Sequence, residues 1–527
     1  MKLSSFALLL ASVVGLESCM ATNPATGGSM FSMVSAEQER KLGEETAMDA
    51  IKTIGLYKAQ PRLENYYKQL GKHIWSKTEM AAAPIEFILL DDGEVNAWAT
   101  PGFINTYRGL FPYLNSEAEL AAVLAHEAGH INARHIARGV TSNQLGSLAV
   151  NLGAIAVGAY TGSADAARAA GQLGGLGAQV ALSGYGRDYE READSLAVRY
   201  MPKAGYDARE AYNVFHSFDR MRDYAALEYG MLHNGKALPK SPFYSLLSSH
   251  PEPLERQQNV IAAVGKPDGT VRLPQGMAPA TPVNDPQGRS RFFDHIDGMA
   301  WGPKADQGVA SRTKFYDPYD KFVWKLPEGL HMVFQGGHWE GVRATDGLRV
   351  FLTAIHGGEK DPEYDSEEVL RLAFPSVRGV ERASVGGRTG YTGTLSISGG
   401  FMGNADVRGT ARAIAFPSGK AKADDYRTKH HIIMVFVTPN AGGDFDKNVK
   451  TAIDSIRYLS ATESKNVQQL RVDVVTVKAG DTLNSLANRM AQSALRRELF
   501  MGLNALEEGT PLIPGMQVKL ITDPNTL

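Results

Sequence analysis

The sequence predicts an α+β chain built as several domains. Three observations carry that reading. The chain has 527 residues, its first half places apolar residues at helical spacing, and its second half is dominated by strand-like runs. At 43% hydrophobic and 21% charged, the composition is that of an ordinary globular protein, and a chain this long can bury several cores. A net charge of −2 excludes no fold. It gives no basis for nucleic acid as a partner.

Residues 1–19 read as an export signal. Lys2 precedes an apolar run from Phe6 to Leu16, which is too short to span a bilayer stably. Cys19, the single cysteine of the chain, follows at once. The stretch Leu16-Glu17-Ser18-Cys19 resembles a bacterial lipobox. That resemblance implies acylation of Cys19, a lipid anchor in a membrane, and a periplasmic location on the outer membrane. Residues 20–34, with Asn23-Pro24-Ala25-Thr26-Gly27-Gly28-Ser29, are expected to form a flexible tether.

Residues 35–264 are mainly helical in pattern, interrupted by a strand-like Ile85–Leu90 and the stretch to Gly109. Within them, 139–182 are rich in Gly and Ala. The apolar part near Leu145–Tyr160 falls short of the ~20 residues of a membrane span, so small-residue helices beside the site are expected. Residues 265–290, rich in Pro and Gly, read as a linker. Strand-like runs such as LRVFLTAI and HHIIMVFVTP place a second α+β domain at 291–459, to which no chemistry is assigned. A polar hinge at 460–470 leads to a final segment, 472–522.

The residues that carry chemistry lie in the helical part. Asn115-Ser116-Glu117-Ala118-Glu119-Leu120 starts a helix, with a capping residue and acids in the first turn. Leu120, Val123, Leu124 and Ile131 form its apolar face. His126 and His130, one turn apart, share a face, so both imidazoles can reach one ion at ~2.1 Å. Glu127 lies beside them, placed to polarise a metal-bound water. A zinc site needs a third protein ligand. Glu190 and Asp194, four apart in Tyr189-Glu190-Arg191-Glu192-Ala193-Asp194, offer a ligand and a carboxylate to orient a ligand histidine, while Glu192 points elsewhere. The other reading of this run is a solvated charged helix face. His135, nine residues after His126, projects to the opposite side of a continuous helix and reads as a structural or surface histidine. His430 and His431, adjacent on a strand, face opposite sides.

HEAGH, followed by GRDYEREADSLAVRYMPKAGYD, resembles the HtpX/CAAX-prenyl-protease family of HExxH zinc metallopeptidases, in its soluble periplasmic quality-control branch. VNAWATPGFINTYRGL and SHPEPLER resemble two further motifs of that family, in the same order. The resemblance covers about residues 35–264. It implies a zincin-type domain with a small edge sheet and one Zn2+ per chain, held by His126, His130 and Glu190. Glu127 is then the general base, with no covalent enzyme intermediate. Asn96, Ala97, Trp98 and Ala99 would form an edge strand that binds an extended peptide. His250 would be a fourth ligand that holds the enzyme off, or a donor to the oxyanion; its other reading is a loop histidine. Arg256 would pair with a carboxylate near the site, or be a surface arginine. The implied substrates are misfolded or misassembled envelope proteins.

Val477-Lys478-Ala479-Gly480-Asp481-Thr482-Leu483, with LFMGLN and LIPGMQVKL after it, resembles a LysM module. This implies a small βααβ domain and peptidoglycan as a partner, or a LysM-like fold used for packing alone. Two other function classes fit the chain. One is a chaperone or assembly factor for outer-membrane proteins. The other is a scaffold anchored to the cell wall with little proteolysis.

Overall fold

A computed structural model describes residues 20–142, 186–238, 253–264, 288–358, 360–421, 427–439 and 445–525. Cys19, His250, the export signal and most of the Gly/Ala-rich stretch at 139–182 lie outside the described residues. The chain divides into two compact units. One is Met1–Asp219 with Pro239–Ile296, and the other is Arg220–Leu238 with Asp297–Leu527.

The first unit opens on a hairpin of β1 (Met20–Thr22) and β2 (Ser29–Phe31), where a flexible tether was expected. The Asn23 carboxamide accepts from the Ala25 N–H (2.9 Å), and the Asn23 N–H donates to Gly28 O (2.8 Å). The polar run is therefore a built turn. It is also docked: Ala25 N–H donates to Asn132 O (3.2 Å), and Met33 N–H donates to Thr141 Oγ1 (3.0 Å).

Helix α1 (Ala36–Thr53) begins with a Ser35–Gln38 capping box, and α2 (Pro61–Trp75) has proline in its first turn. Between them in space lies a sheet of β3 (Glu86–Leu90), β4 (Ala97–Thr100) and β5 (Phe103–Tyr107), in the order β3-β5-β4. Strand β5 runs parallel to β3 and antiparallel to β4, one of the two edge strands. Gly102 turns the β4–β5 hairpin at φ 89°, a conformation that favours glycine. Ile88 and Leu90 meet Ala47 and Ala50 of α1, with Trp98 against the same cluster. Phe87 on the other face lies over Gly71 of α2, where a Cβ would come within 2.3 Å of the ring.

The remaining helices of this unit are α3 (Glu117–Asn132), α4 (Arg187–Ala204), the start of α5 (Ala211–Leu232), α6 (Pro253–Val264) and α7 (Arg289–Ile296). All 16 residues of α3 are buried, so it is the central helix. Helix α7 falls where the sequence places the end of a linker and the start of the next domain. It belongs to the first unit because Phe292, Phe293 and Ile296 share an apolar face and are 0% exposed. The Phe292 ring stacks on Phe111 at 6.5 Å, and Arg291 pairs with Glu117.

The second unit takes 220–238 from the stretch read as wholly helical-domain. Leu232 O accepts from Asn404 (3.1 Å), Asn234 from Arg349 (2.9 Å), and Glu228 from His331 (2.9 Å). Its strands are β6 (Ala300–Trp301), β7 (Val309–Ala310), β8 (Lys314–Asp317), β9 (Phe322–Lys325), β10 (His331–Gln335), β11 (His338–Arg343) and β12 (Leu348–His356). After α8 (Ser366–Ala373) come β13 (Arg378–Val385), β14 (Arg388–Ile397), β15 (Gly409–Pro417) and β16 (His430–Thr438). Seven of them form one antiparallel sheet, β10-β11-β12-β16-β15-β14-β13. Ile432, Met434 and Phe436 of β16 face a core with Trp324 and Phe322, while Ile433, Val435 and Val437 face α8. Both faces are covered, which is why β16 reads as an unbroken apolar run.

Helix α9 (Phe445–Asp454), β17 (Arg457–Tyr458) and α10 (Ala461–Asn466) follow. The polar stretch expected as a hinge contains α10, started by a Ser460–Glu463 capping box. The chain ends on β18 (Leu470–Thr476), α11 (Leu483–Ala487), α12 (Arg496–Leu503) and β19 (Gln517–Thr522). That is a βααβ order, with β18 paired to both β19 and β6. Among the described residues, no helix is long and apolar enough to cross a membrane.

Candidate metal centre

Helix α3 supplies the first donors. Ser116 caps it by accepting from the Glu119 N–H (3.1 Å). At its other end Asn132 bonds back to Ala128 O (2.8 Å), and the chain turns through Arg134 at φ 53°. One turn apart, the His126 and His130 rings bring their Nε2 atoms to 2.9 Å. Helix α4 crosses at Gly129, where a Cβ would stand 3.1 Å from the Ala193 carbonyl oxygen. This close approach brings Glu190 to both rings, 3.5 Å from His126 Nε2 and 3.5 Å from His130 Nε2. His126, His130 and Glu190 are all buried and can hold a metal ion, each offering one donor atom within 4.8 Å of the others.

Asp194, one turn beyond Glu190, lies 3.0 Å from His126 Nδ1. Arg256 of α6 donates to Asp194 at 2.7 and 2.9 Å, and pairs with Glu190 at 3.0 Å. Its guanidinium lies over the Phe215 ring at 4.9 Å. The surface-arginine reading of Arg256 is therefore wrong: it is 8% exposed, inside the charge network of the site.

The electrostatics fit a divalent cation. Glu127, Glu190 and Asp194 are buried and all act on Arg256. Three acids thus crowd round one guanidinium in a buried site, where uncompensated charge is costly. Burial and the Arg256 cation oppose a proton on His126, yet hydrogen bonds to Asp194 and Glu190 raise it to about 9. The cluster thus calls for positive charge at the point where a metal would sit. Burial works against the Asp194 carboxylate, but Arg256 holds it down to about 2.

Two residues enter that sequence reasoning placed elsewhere. His135 is 1% exposed and sits beside His130, their Nδ1 atoms 2.7 Å apart. Its Nε2 is 3.2 Å from Glu192, which also accepts from Arg138 at 2.5 Å. The helical projection fails because α3 ends before His135. Burial pushes His135 down to about 4. Of the expected edge strand, Ala97 and Ala99 are buried and Trp98 half-buried, and β4 packs against α3. The Asn96 carbonyl accepts from Tyr107 N–H (2.9 Å). His430 and His431 do face apart: His431 bonds to Thr428 O (3.0 Å), and the His430 ring lies tilted beside His356 at 5.5 Å.

A buried helix with two histidines and a glutamate, crossed by a second helix that brings a distal glutamate, defines a metallopeptidase-type centre. Residues 61–264 match peptidase family M48. The chain's relatives include the beta-barrel assembly-enhancing proteases of Yersinia pestis and Escherichia coli K12. The first is 29% identical over 192 residues, 36% of this chain and 39% of the relative. The second is 28% identical over 190 residues, 35% and 38%. The Escherichia coli metalloprotease YcaL is 27% identical over 200 residues, 38% of this chain and 67% of YcaL. The chain therefore spans about two-fifths of the length of the assembly-enhancing proteases it matches.

Proposed function

We propose that this chain is a zinc-dependent endopeptidase of the bacterial cell envelope, acting on misfolded or misassembled envelope proteins. One observation carries the reading: His126, His130 and Glu190 converge beside Glu127 in a buried, acid-rich site. Zinc, when bound there, supplies Lewis-acid activation of water and of the scissile carbonyl. Glu127 takes the proton of the attacking water and returns it to the leaving amine. Asp194 orients His126, and Arg256 holds Asp194 ionised while pairing with Glu190. The outer strand β4, through Asn96, Ala97, Trp98 and Ala99, accepts an extended peptide as an added strand. His250 acts at the oxyanion or as a restraining ligand, or is a loop histidine whose replacement by alanine leaves cleavage unchanged.

The envelope setting rests on the export-type segment with Cys19, read as a lipid anchor, and on the names of the relatives. Those names also favour a second reading, in which the chain assists outer-membrane protein assembly and cleaves only failures. The βααβ order of residues 470–522 supports a LysM-like domain, which takes peptidoglycan as a partner or serves packing alone.

Casein cleavage by the chain lacking residues 1–19 tests the proposal. Wild type should cleave and Glu127→Gln should not. A rise on His250→Ala assigns that residue a restraining role, and a loss makes it a donor. Equal cleavage by Glu127→Gln and wild type would overturn the mechanism.

A further inference from the structure

We propose that His135 and Glu192 are positioning residues of the metal centre, acting on His130 through a relay of two imidazoles and one carboxylate. The proposal rests on the metal-centre reading above.

The hydrogen-bond chemistry fixes the direction of the relay. His130 directs Nε2 towards His126 and Glu190. To bind a metal, that nitrogen must present a lone pair, so the hydrogen of the neutral ring sits on Nδ1. His130 Nδ1 lies 2.7 Å from His135 Nδ1, so His135 accepts there. The hydrogen of His135 is then on Nε2, 3.2 Å from the Glu192 carboxylate. Glu192, acceptor-only when ionised, closes the chain. Each donor meets an acceptor in one tautomer set, and it is the set that frees His130 Nε2 for a metal.

The relay is held rigid. The His135 ring stacks on Tyr189 at 4.5 Å with 7° between planes. Arg138 lies over the same tyrosine ring at 4.5 Å and donates to Glu192 at 2.5 Å. Tyr189, Glu190 and Glu192 all belong to α4, so one helix supplies a candidate ligand and the far end of the relay. The two ligand histidines are supported unequally. His126 meets its carboxylate directly, through Asp194 at 3.0 Å, whereas His130 reaches Glu192 through a second imidazole. Partners of this kind fix the orientation and raise the basicity of a ligand histidine, and their loss costs about 10–100-fold in metal affinity.

The test is zinc affinity of the full chain, measured by competition with a chromophoric chelator, together with the visible spectrum of the Co2+ form. His135→Phe keeps a ring on Tyr189 and breaks the relay. It should bind zinc about 10–100-fold more weakly and shift the cobalt bands, with the melting temperature of the metal-free protein little changed. His135→Gln can accept from His130 and donate to Glu192, and should recover part of the loss. Glu192→Gln should weaken zinc in the same direction, and it decides the matter if His135→Phe does not fold. Variants that match wild type within about twofold overturn the relay while leaving the metal centre standing. A wild-type chain that takes up neither zinc nor cobalt overturns both.

Discussion

Arg256 sits between two buried carboxylates, 2.7 Å from Asp194 and 3.0 Å from Glu190. Removing it leaves both acids buried against each other. Arg256→Met should therefore destabilise the metal-free first unit by about 3–5 kcal/mol, read from urea unfolding; no loss would mean the acids find water. Glu127→Gln keeps shape and burial but cannot take a proton, so cleavage should fall by about 10²–10⁴-fold while zinc affinity holds. Asp317 gives a pH signature in the second unit. Burial, then the adjacent Asp320 carboxylate, pushes it up to about 7. In the unfolded chain it titrates near ~3.9. The folded chain thus holds a proton that the unfolded chain has lost, and stability falls as pH rises from about 4 through about 7. Asp317→Asn keeps the acceptor for the Asp320 N–H (2.7 Å) and should raise the melting midpoint at pH 8 while flattening that fall. At this scale helical spacing puts His126 with His130, and Glu190 with Asp194, on one face each, and the structure brings the two faces together. The sequence could not reveal His135 or Glu192, whose meeting depends on where α3 stops.

Among the elements, α1 is locked to the β4–β5 turn. A Cβ on Gly43 would stand 2.3 Å from the Pro101 carbonyl oxygen, and Thr100 reaches Gly43 O at 3.4 Å. Gly43→Ala must push α1 off the hairpin and should lower stability by about 1–3 kcal/mol, seen in thermal unfolding of the metal-free protein. An unchanged midpoint would show that the turn yields freely. Strand and helix types were legible where one period dominated, as in the doubly buried β16 or the proline-started α2. The hairpin at 20–34 was not, since its polar composition suits a tether equally well. Only the Asn23 turn bonds and the docking of Ala25 on Asn132 distinguish them.

For the whole molecule, domain boundaries were the least legible feature. Composition marks the Pro/Gly-rich stretch after residue 264, yet the compact units divide at Ile296 and again inside α5. Phe292, Phe293 and Ile296 decide the first division by what they bury, and the bonds of Leu232 and Asn234 decide the second. Contacts distant in sequence set both, and local pattern carries no trace of them. The metal centre, by contrast, is assembled within the first unit. That centre should hold one zinc ion between two imidazoles and a carboxylate, which the zinc content and X-ray absorption spectrum of the purified chain would report. The expected result is one zinc per chain with nitrogen and oxygen neighbours at ~2.0–2.2 Å, lost in His126→Ala. A folded wild-type chain without zinc, or zinc retained in full by His126→Ala, would contradict it.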